Sequence, residues 1–268
     1  MRTIPFRVPS EHSIKTRFRV LIFGVRPRCP RCGRTDVRTS EQRYHCRGCR
    51  RKFSLTSGTW LKATKLSWTQ RWVLLWCFCH RYQPRQAAAL ARVTPRISRE
   101  WYDRFRTHLP ERGRTLRLHV IADEGYFGRR RTGNQRIVAG ALEPQSQELR
   151  LRTIPDTEQD SLETFLWDHV SVRTMVWTDA HKSYGDIEWM GYGHAQDVHE
   201  RGQFQRTAPI ERVWSFSKWL TRRMYHHVWG ERLPGFLREI EWRFSAPETF
   251  ASPLTLAGIL LRPVPRSD

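Results

Sequence analysis

The feature that most constrains the fold is a pair of CxxC motifs near the start of the chain. Cys29 and Cys32 lie in CPRCG, and Cys46 and Cys49 lie in CRGC, which gives the spacing C-x2-C-x13-C-x2-C. Each motif can bring two thiolates to one ion, and four thiolates suit a closed, tetrahedral structural zinc site. Two disulfides would require an oxidising compartment, and a redox-active CxxC would not need a second copy. We therefore predict a zinc ribbon within residues 1–60.

Basic residues are concentrated in the front of the chain. Residues 1–110 contain 25 arginines and lysines and five acids, a formal net charge of +20. Residues 111–268 contain 22 arginines and lysines and 21 acids, a formal net charge of +1. A solvated surface explains scattered lysines better than a segment of such charge, which predicts binding to nucleic acid. Near the cysteines, Arg47, Arg50 and Arg51 are candidates for phosphate contacts.

No segment of the sequence resembles a membrane anchor. The longest purely apolar run, residues 72–79, is too short to span a bilayer, and the N-terminus lacks the apolar region of a signal peptide. We therefore expect a cytoplasmic protein.

The same run contains Cys77 and Cys79, followed by His80. On a helix, the thiols of a CxC point to different faces, so we predict core cysteines rather than a second metal site.

Residues 61–110 have the pattern of a helical, helix-turn-helix-like DNA-binding region. Ser67 and Gln70 predict a capping box that opens a helix extending to about Tyr82. A short helix at residues 86–92 is followed by a second helix, for which Thr94 is the N-cap and Pro95 the first residue. One face of this helix carries Ile97, Trp101 and Phe105, and the other carries Arg96, Arg99 and Asp103. A recognition helix would present such a basic face to the major groove, although a plain helical hairpin has the same pattern.

Residues 111–268 have the pattern of an α/β domain. Runs of alternating hydrophobicity predict strands at residues 117–123, 136–142, 148–154 and 174–179, and another possible strand at residues 197–200. A helix capped by Asp156 or Thr157 is expected between the third and fourth strands, and a long helix is expected to begin near Pro209. Three strands, a helix, a strand and a helix is the order of a ribonuclease-H-like fold.

Three acids occur at corresponding points of this predicted fold. Asp123 and Asp179 are expected to end the first and fourth strands, where functional groups lie in α/β sheets, and Glu211 opens the long helix. Each acid alone also fits a structural role: Asp123 at a turn, Asp179 as a cap, and Glu211 as an acid favoured by the helix dipole. Together, beside a basic module, they suit two Mg²⁺ ions acting on a phosphodiester.

The long helix has two faces of different character. Helical spacing puts Glu211 on one exposed stripe with Ser215, Lys218 and Arg222. The core-facing positions are Ile210, Val213, Trp214 and Ser217. Lys218 and Arg222 are therefore predicted to contact DNA phosphates beside the metal-binding carboxylate.

Several motifs together resemble the ISXO-like insertion-sequence transposases. They are CPRCG…CRGCRRKFSLTSGTW, DEGYFG, WTDAHKSY, IERVWSFSK and EIEWRFS, and they extend from Arg26 to Phe244. The resemblance implies a zinc ribbon followed by a ribonuclease-H-like DDE catalytic domain. It also implies two Mg²⁺ (or Mn²⁺) ions and cleavage and joining of double-stranded DNA at inverted-repeat ends, by a homo-oligomer in the nucleoid of a prokaryote. By motif, the catalytic residues are Asp123, Asp179 and Glu211, with Asp123 shared between the ions, and Lys218 is the associated basic residue.

The chain departs from this family pattern at two positions. Ala208 replaces an asparagine that is common three residues before the glutamate, and Ser245 replaces one that is common after the closing Arg-Phe. If the first asparagine acts as an N-cap, Thr207 can replace it. Two other functions fit the same sequence: a domesticated or inactive DNA-binding regulator, and an Mg²⁺-dependent nuclease without strand transfer.

Overall fold

The chain forms two compact units. The computed structural model describes residues 6–40, 43–62, 64–128, 133–179, 184, 187–197, 207–225 and 230–261. Unit 1 consists of residues 1–110 and 248–268, and unit 2 of residues 111–247. Residues 248–268 are predicted from the sequence to belong with residues 111–247, whereas by their contacts they group with the front of the chain. Because this segment contains two arginines and two acids, the formal charges of the units are still +20 and +1.

The described elements follow one another in a clear order along the chain. The helices are α1 (Glu11–Phe23), α2 (Trp68–Cys79), α3 (Pro84–Ala91), α4 (Pro95–Thr107), α5 (Gln159–His169), α6 (Ala208–Tyr225), α7 (Leu233–Ser245) and α8 (Pro253–Leu260). The strands are β1 (Val37–Ser40), β2 (Arg43–Cys46), β3 (Lys52–Phe53), β4 (His119–Phe127), β5 (Arg136–Glu143), β6 (Glu148–Ile154), β7 (Met175–Asp179) and β8 (Gly193–Asp197). No helix in the described part of the chain has both the length and the hydrophobicity needed to cross a lipid bilayer.

In unit 1, β1, β2 and β3 form a small antiparallel sheet in that order. Its core is aromatic: the rings of Tyr44 and Phe53 stack with centroids 5.4 Å apart, and Phe23 meets both edge-on. Cys29 and Cys46 are buried in the same cluster. So small an apolar core suits a segment that a metal ion helps to fold.

The helices of unit 1 enclose a second core. The capping box of Ser67 and Gln70 is present at the start of α2, as predicted. α8 packs against α1 and α2, and the Trp60 indole N–H donates to the carbonyl oxygen of Leu260 at 2.9 Å. This contact explains why the last helix belongs with the front of the chain.

The expected helix-turn-helix pair consists of α3 and α4, which pack against each other. α3 begins at Pro84, two residues before the predicted start, and Arg92 ends it in the left-handed region with φ 54°. The Thr94 hydroxyl accepts the Ile97 N–H at 3.3 Å and caps α4, as predicted.

Unit 2 is built on a mixed five-stranded sheet of order β6-β5-β4-β7-β8. β4, β5 and β6 are antiparallel neighbours, whereas β7 and β8 run parallel to β4. α5 packs on β5 and β6 through a core that includes Ala139, Ala141 and Phe165. α6 lies on the opposite face, against β4 and β5 at Gly125 and Gly140. The predicted α/β class is therefore confirmed.

Three boundaries in unit 2 differ from the sequence prediction. β4 begins at His119, because Leu118 has φ 67° and is 72% exposed, and it continues past Asp123 to Phe127. β8 ends at Asp197, where a strand was predicted to begin, and residues 198–200 lie outside the described residues. The N-cap of α5 is Glu158, while the Asp156 carboxylate accepts the Glu158 N–H at 3.2 Å.

The outer edge of β6 is covered by α7. The Ser245 hydroxyl accepts the Leu149 N–H at 3.0 Å, and the Glu241 carboxylate accepts the Leu151 N–H at 2.7 Å. The four residues from Glu241 to Ser245 rise about 6 Å along the helix, close to the roughly 6.6 Å spanned by two strand residues, so the helix can satisfy alternate edge groups. Desolvation raises the pKa of Glu241 to about 7.

Candidate active site and metal centres

The four cysteines of the two CxxC motifs converge on one point. Their sulfur atoms all lie within 4.8 Å of one another, with Cys29 Sγ 3.5 Å from Cys49 Sγ and Cys32 Sγ 3.6 Å from Cys46 Sγ. Four ligands about 2.3 Å from a tetrahedral zinc ion would be about 3.8 Å apart, whereas a disulfide needs about 2.05 Å. The arrangement fits a structural zinc ion and not disulfides.

The backbone of the first knuckle favours thiolate. Burial opposes ionisation of the Cys29 thiol, but the N–H groups of Cys32 and Arg31 outweigh it and bring the pKa of this thiol to about 6. A thiolate is the form that binds zinc. Cys77 and Cys79 are both buried in α2, and burial raises the pKa of the Cys77 thiol to about 12. The core placement predicted for these two residues agrees with this.

Asp123 and Asp179 lie at one level of the sheet. The parallel pairing of β4 with β7 matches His119 to Met175 and Ile121 to Trp177. The last pair is Ile121 with Trp177, and the same register continued two residues beyond it puts Asp123 level with Asp179. Asp179 ends its strand as expected, but Asp123 is in the middle of β4, which continues in pairing with β5. The pairing register, and not the end of a strand, therefore brings the two aspartates together.

Glu211 reaches the same region from α6. It lies in the first turn of the helix and is exposed. Burial is the main cause that raises the pKa of Asp123, and the negative charges of Asp179 and Glu211 raise it further. Asp179 and Glu211 are therefore both close enough to Asp123 for their charges to influence it. Among the described residues, however, only the four cysteines form a group of three or more ligands within 4.8 Å of one another, so the three acids are not a closed ligand set.

The two faces of α6 are as predicted. Ile210, Val213, Trp214 and Ser217 are buried, and Glu211, Ser215, Lys218 and Arg222 are exposed. Among the residues that the structure describes, Glu211 forms no ion pair, so its position is not explained by a salt bridge to Lys218.

Trp214 contacts Asp123, which the pattern of the sequence does not predict. Its indole Nε1–H donates to Asp123 Oδ2 at 2.9 Å, and the Glu124 N–H donates to Asp123 Oδ1 at 2.8 Å. The ring lies directly on the sheet, because a Cβ on Gly125 or Gly140 would be 2.6 Å or 2.7 Å from its carbon atoms. The signal in the sequence was its place three residues after Glu211, together with the glycine in DEGYFG.

Glu124 occupies the other face of β4. Tyr184 donates its hydroxyl hydrogen to Glu124 Oε1, and the tyrosine ring is buried among the residues that pack against α5. Desolvation is the largest of the causes that raise the pKa of Glu124 to about 7. This pair links β4 to the chain that follows Asp179.

The arginines predicted to bind DNA are at the surface of unit 1. Arg96 and Arg99 are exposed on α4, where Arg96 also pairs with Glu100 at 2.9 Å. Near the cysteines, Arg47, Arg50 and Arg51 are exposed as well, and Arg47 lies 3.6 Å from Asp36. These side chains are accessible to a phosphate backbone.

The two positions that depart from the family pattern, Ala208 and Ser245, lie at the beginning of α6 and at the end of α7. Ala208 is the first residue of α6, and the carbonyl oxygen of Thr207 accepts the N–H groups of Ile210 and Glu211 at 3.0 Å and 3.3 Å. Thr207 is thus at the N-cap position by its backbone. Ser245 accepts the Leu149 N–H at the edge of β6.

A cavity of about 400 Å³ lies elsewhere in unit 2 and contains none of the predicted site residues. Its basic side chains are Arg112, Arg114, Arg150, Arg152 and Arg238. Each of them pairs with an acid of the same unit, such as Arg152 with Asp168 and Arg238 with Glu111. The five arginines share four acids, since Arg112 and Arg150 both pair with Glu148, so most of their charge is balanced within the protein and we assign no ligand to this cavity.

The sheet order, the strand directions and the helices on both faces define unit 2 as a ribonuclease-H-like domain. Residues 116–245 match the family model of the ISXO2-like transposase domain. The resemblance to these transposases is thereby confirmed over those residues, which include Asp123, Asp179, Glu211 and Lys218. The match supports a transposase-type function, that of an enzyme that transfers phosphoryl groups on nucleic acid.

Solved structures that match part of the chain include retroviral integrases. The catalytic core domain of BIV integrase shares 11% identity over 46% of this chain and 82% of its own, with a TM-score of 0.33. The HTLV-2 integrase catalytic core domain, in complex with magnesium, shares 10% identity over 49% of this chain and 87% of its own, with a TM-score of 0.33. A simian T-cell lymphotropic virus intasome in complex with a PP2A regulatory subunit shares 9% identity over 64% of this chain and 67% of its own, with a TM-score of 0.36. No curated protein matches the chain.

Proposed function

We propose that the protein is a DNA transposase that binds the inverted-repeat ends of an insertion sequence and catalyses Mg²⁺-dependent cleavage and strand transfer. The observation that supports the proposal is the parallel register of β4 and β7, which, continued by two residues, sets Asp123 level with Asp179, together with the effect of the Glu211 charge on the pKa of Asp123. This arrangement lies inside the segment that matches the transposase family model.

The donor set fits the metal that this chemistry needs. Asp123, Asp179 and Glu211 supply only carboxylate oxygens, which suit Mg²⁺ or Mn²⁺, and among the described residues no cation pairs with Asp123 or Glu211. These three residues would hold two ions, with Asp123 shared between them. When bound, a pair of such ions activates the attacking oxygen and stabilises the leaving oxygen.

The exposed stripe of α6 positions the DNA for this reaction. Lys218 and Arg222 lie about two and three helical turns after Glu211 on the same face, so they can contact successive phosphates of the bound end. Water then attacks the phosphorus at the end of the element, and the broken P–O bond leaves a 3′-hydroxyl. That hydroxyl attacks a phosphorus of target DNA and displaces a 3′-oxygen there.

Unit 1 provides the sequence-independent contacts with the DNA backbone and recognises the sequence of the inverted-repeat end. Its charge of +20 favours a polyanion, and exposed Arg96 and Arg99 on α4 would enter the major groove. Arg47, Arg50 and Arg51 on the zinc ribbon would contact phosphates. Two ends must be joined in one reaction, so we expect a homo-oligomer on DNA, in the cytoplasm of a prokaryote and at its nucleoid.

The test uses the purified protein, Mg²⁺ and a labelled duplex that carries a candidate inverted-repeat end, with a scrambled duplex of the same length as the control. We expect a nick at the end of the element and, when target plasmid is added, joined products. Specific binding without any cutting would indicate a regulator. Cutting without joining would indicate a nuclease. Either result would overturn the proposal.

A further inference from the structure

Among the residues that the structure describes, two donors that carry no charge bind the carboxylate of Asp123. Trp214 Nε1–H binds Oδ2 at 2.9 Å, and the backbone N–H of Glu124 binds Oδ1 at 2.8 Å. A lysine or arginine would also fix the carboxylate, but its charge would compete with a divalent cation. An indole N–H is a donor only, so it orients the carboxylate and leaves the negative charge available.

The indole is itself fixed by the sheet. Gly140 is paired directly with Asp123 across β4 and β5, and Gly125 lies two residues further along β4 on the same face. A Cβ on Gly125 would lie 2.6 Å from Cε3 of Trp214, and one on Gly140 would lie 2.7 Å from Cη2. Phe127 meets the same ring edge-on at 6.3 Å. Because these contacts involve a rigid ring and a strand backbone, neither side can give way easily.

Trp214 also connects two carboxylates that come from different elements. It lies one helical turn after Glu211 on α6, and it binds Asp123 on β4. Seating the ring on the two glycines therefore sets the distance and rotation of the helix relative to the strand. The same contact that orients Asp123 therefore also fixes the helix that carries Glu211.

We propose that Trp214 is a positioning residue for the metal-binding carboxylates, and that Gly125 and Gly140 form the surface on which its ring packs. The inference rests on the proposed function, because it takes Asp123 and Glu211 as ligands of a divalent cation. It assigns to the indole N–H a role in cation affinity that packing alone would not give.

The test compares Trp214→Phe, which keeps an aromatic ring and removes the N–H, with Trp167→Phe, a change at a tryptophan that is 63% exposed on α5. Full-length, zinc-loaded protein is titrated with Mn²⁺ by calorimetry without DNA, and thermal melting is recorded for each variant. We expect Trp214→Phe to weaken Mn²⁺ binding by roughly 10–100-fold, the usual effect of losing a residue that orients a metal ligand. Trp167→Phe should bind as the wild type does. Wild-type Mn²⁺ affinity in a folded Trp214→Phe protein would overturn the inference.

A second variant covers the case in which Trp214→Phe does not fold. Gly140→Ala retains the indole but displaces it, and Gly113→Ala is its control, because a Cβ on Gly113 meets nothing within 4 Å. Gly140→Ala should weaken Mn²⁺ binding, and Gly113→Ala should not. Equal affinity in both glycine variants would contradict the inference.

The two proposals can fail separately in these experiments. If Asp123→Asn binds Mn²⁺ as tightly as the wild type, Asp123 is not a ligand and both proposals fail. If the wild type binds Mn²⁺ through Asp123 and Trp214 but neither cuts nor joins end DNA, only the proposed function fails. If it cuts and joins DNA with equal Mn²⁺ affinity in the wild type and Trp214→Phe, only the positioning role fails.

Discussion

Glu211 is an exposed acid on a helix whose other exposed side chains include several cations. Lys218 and Arg222 follow it on the same stripe, and among the described residues it forms no ion pair. A surface salt bridge would be worth only about 0–1 kcal/mol, so such a role would predict little effect of its loss. Its influence on the pKa of Asp123 instead indicates a place in the carboxylate cluster.

We expect Glu211→Gln to lower Mg²⁺-dependent nicking of end DNA by more than about 100-fold, beyond the loss typical of a residue that only supports a metal ligand. Binding to the end duplex should be unchanged or slightly tighter, because a negative charge is removed. Lys218→Ala should weaken end binding and reduce nicking only in part. Nicking and gel-shift assays on one duplex test both, with exposed Glu188→Gln as the control. Near wild-type nicking by Glu211→Gln would mean that the third ligand is another residue.

At the scale of elements, α7 and the ribbon each depend on a few buried polar contacts. Glu241 and Ser245 satisfy N–H groups along the edge of β6, which would otherwise remain open to pairing with another strand. The four cysteines add a metal site to the small aromatic core of the ribbon sheet. Each element therefore offers a test that does not depend on catalysis.

Glu241 should make the stability of the protein depend on pH. Desolvation raises its folded pKa from 4.5 to about 7, so folding takes up a proton between these values. Stability from this group is therefore highest below about pH 4.5, falls as the pH rises and reaches its full penalty above about 7. Glu241→Gln keeps an oxygen acceptor for the Leu151 N–H and removes the charge. We expect it to raise the melting temperature at pH 8 and to change it little at pH 5. The exposed Glu248→Gln is the control, and an equal shift at both pH values would contradict this account.

Cys46→Ser should unfold the ribbon and leave unit 2 folded. The variant loses one of four zinc ligands, and metal binding supplies the folding energy of such a small sheet. We expect metal analysis to find one zinc per wild-type chain and much less in the variant, together with weaker end binding. Cys77→Ser, in the core of α2, is the matched control and should retain zinc. A wild type purified without zinc would refute the assignment.

At the scale of the whole molecule, the excess positive charge belongs to one unit, but that unit is not continuous along the chain. Unit 1 contains nearly all of the excess positive charge, but it is completed by a helix from the far end of the chain. A fragment ending at residue 110 would therefore lack part of its own core. Unit 2 is continuous in sequence and is the part that can be tested as a fragment.

The fragment of residues 111–247 should bind DNA weakly. Its formal charge of +1 allows few phosphate contacts, whereas the full chain should bind with an affinity that falls steeply as salt is added. Fluorescence anisotropy on one duplex at several salt concentrations measures both slopes. If the fragment matches the affinity of the full chain at the same salt, unit 1 is not the main DNA-binding part.

A chain ending at residue 247 should lose stability in unit 1. α8 buries Leu256 and Leu260, and their removal costs about 3–6 kcal/mol of burial free energy. We expect a lower first melting transition and weaker DNA binding, with Mn²⁺ binding in unit 2 unchanged. A chain ending at residue 261 retains α8 and should behave as the wild type does. Identical melting of the two shortened chains would contradict the packing of α8.

Local patterns were sufficient to predict much of this protein. The spacing of Cys29 to Cys49 predicted a four-cysteine cluster, because each CxxC is a local structure that needs few distant contacts. The capping box at Ser67 and the two faces of α6 were predicted for the same reason, since hydrogen bonds three residues apart and a period of 3.6 can be read directly from the sequence. Alternation predicted β5 and β6 closely.

The tertiary structure alone decided how distant residues combine. Asp123 is level with Asp179 through the register of β4 on β7, and its continuing strand could not be distinguished from a turn by the letters DEG. The bond from Trp214 to Asp123 depends on two glycines that are adjacent only across a strand pair. The docking of α8 in unit 1 and the capping of β6 by Glu241 likewise join residues roughly 90 to 200 positions apart. Pattern and propensity describe a residue among its near neighbours, whereas these contacts depend on which surfaces meet when the chain buries its apolar faces.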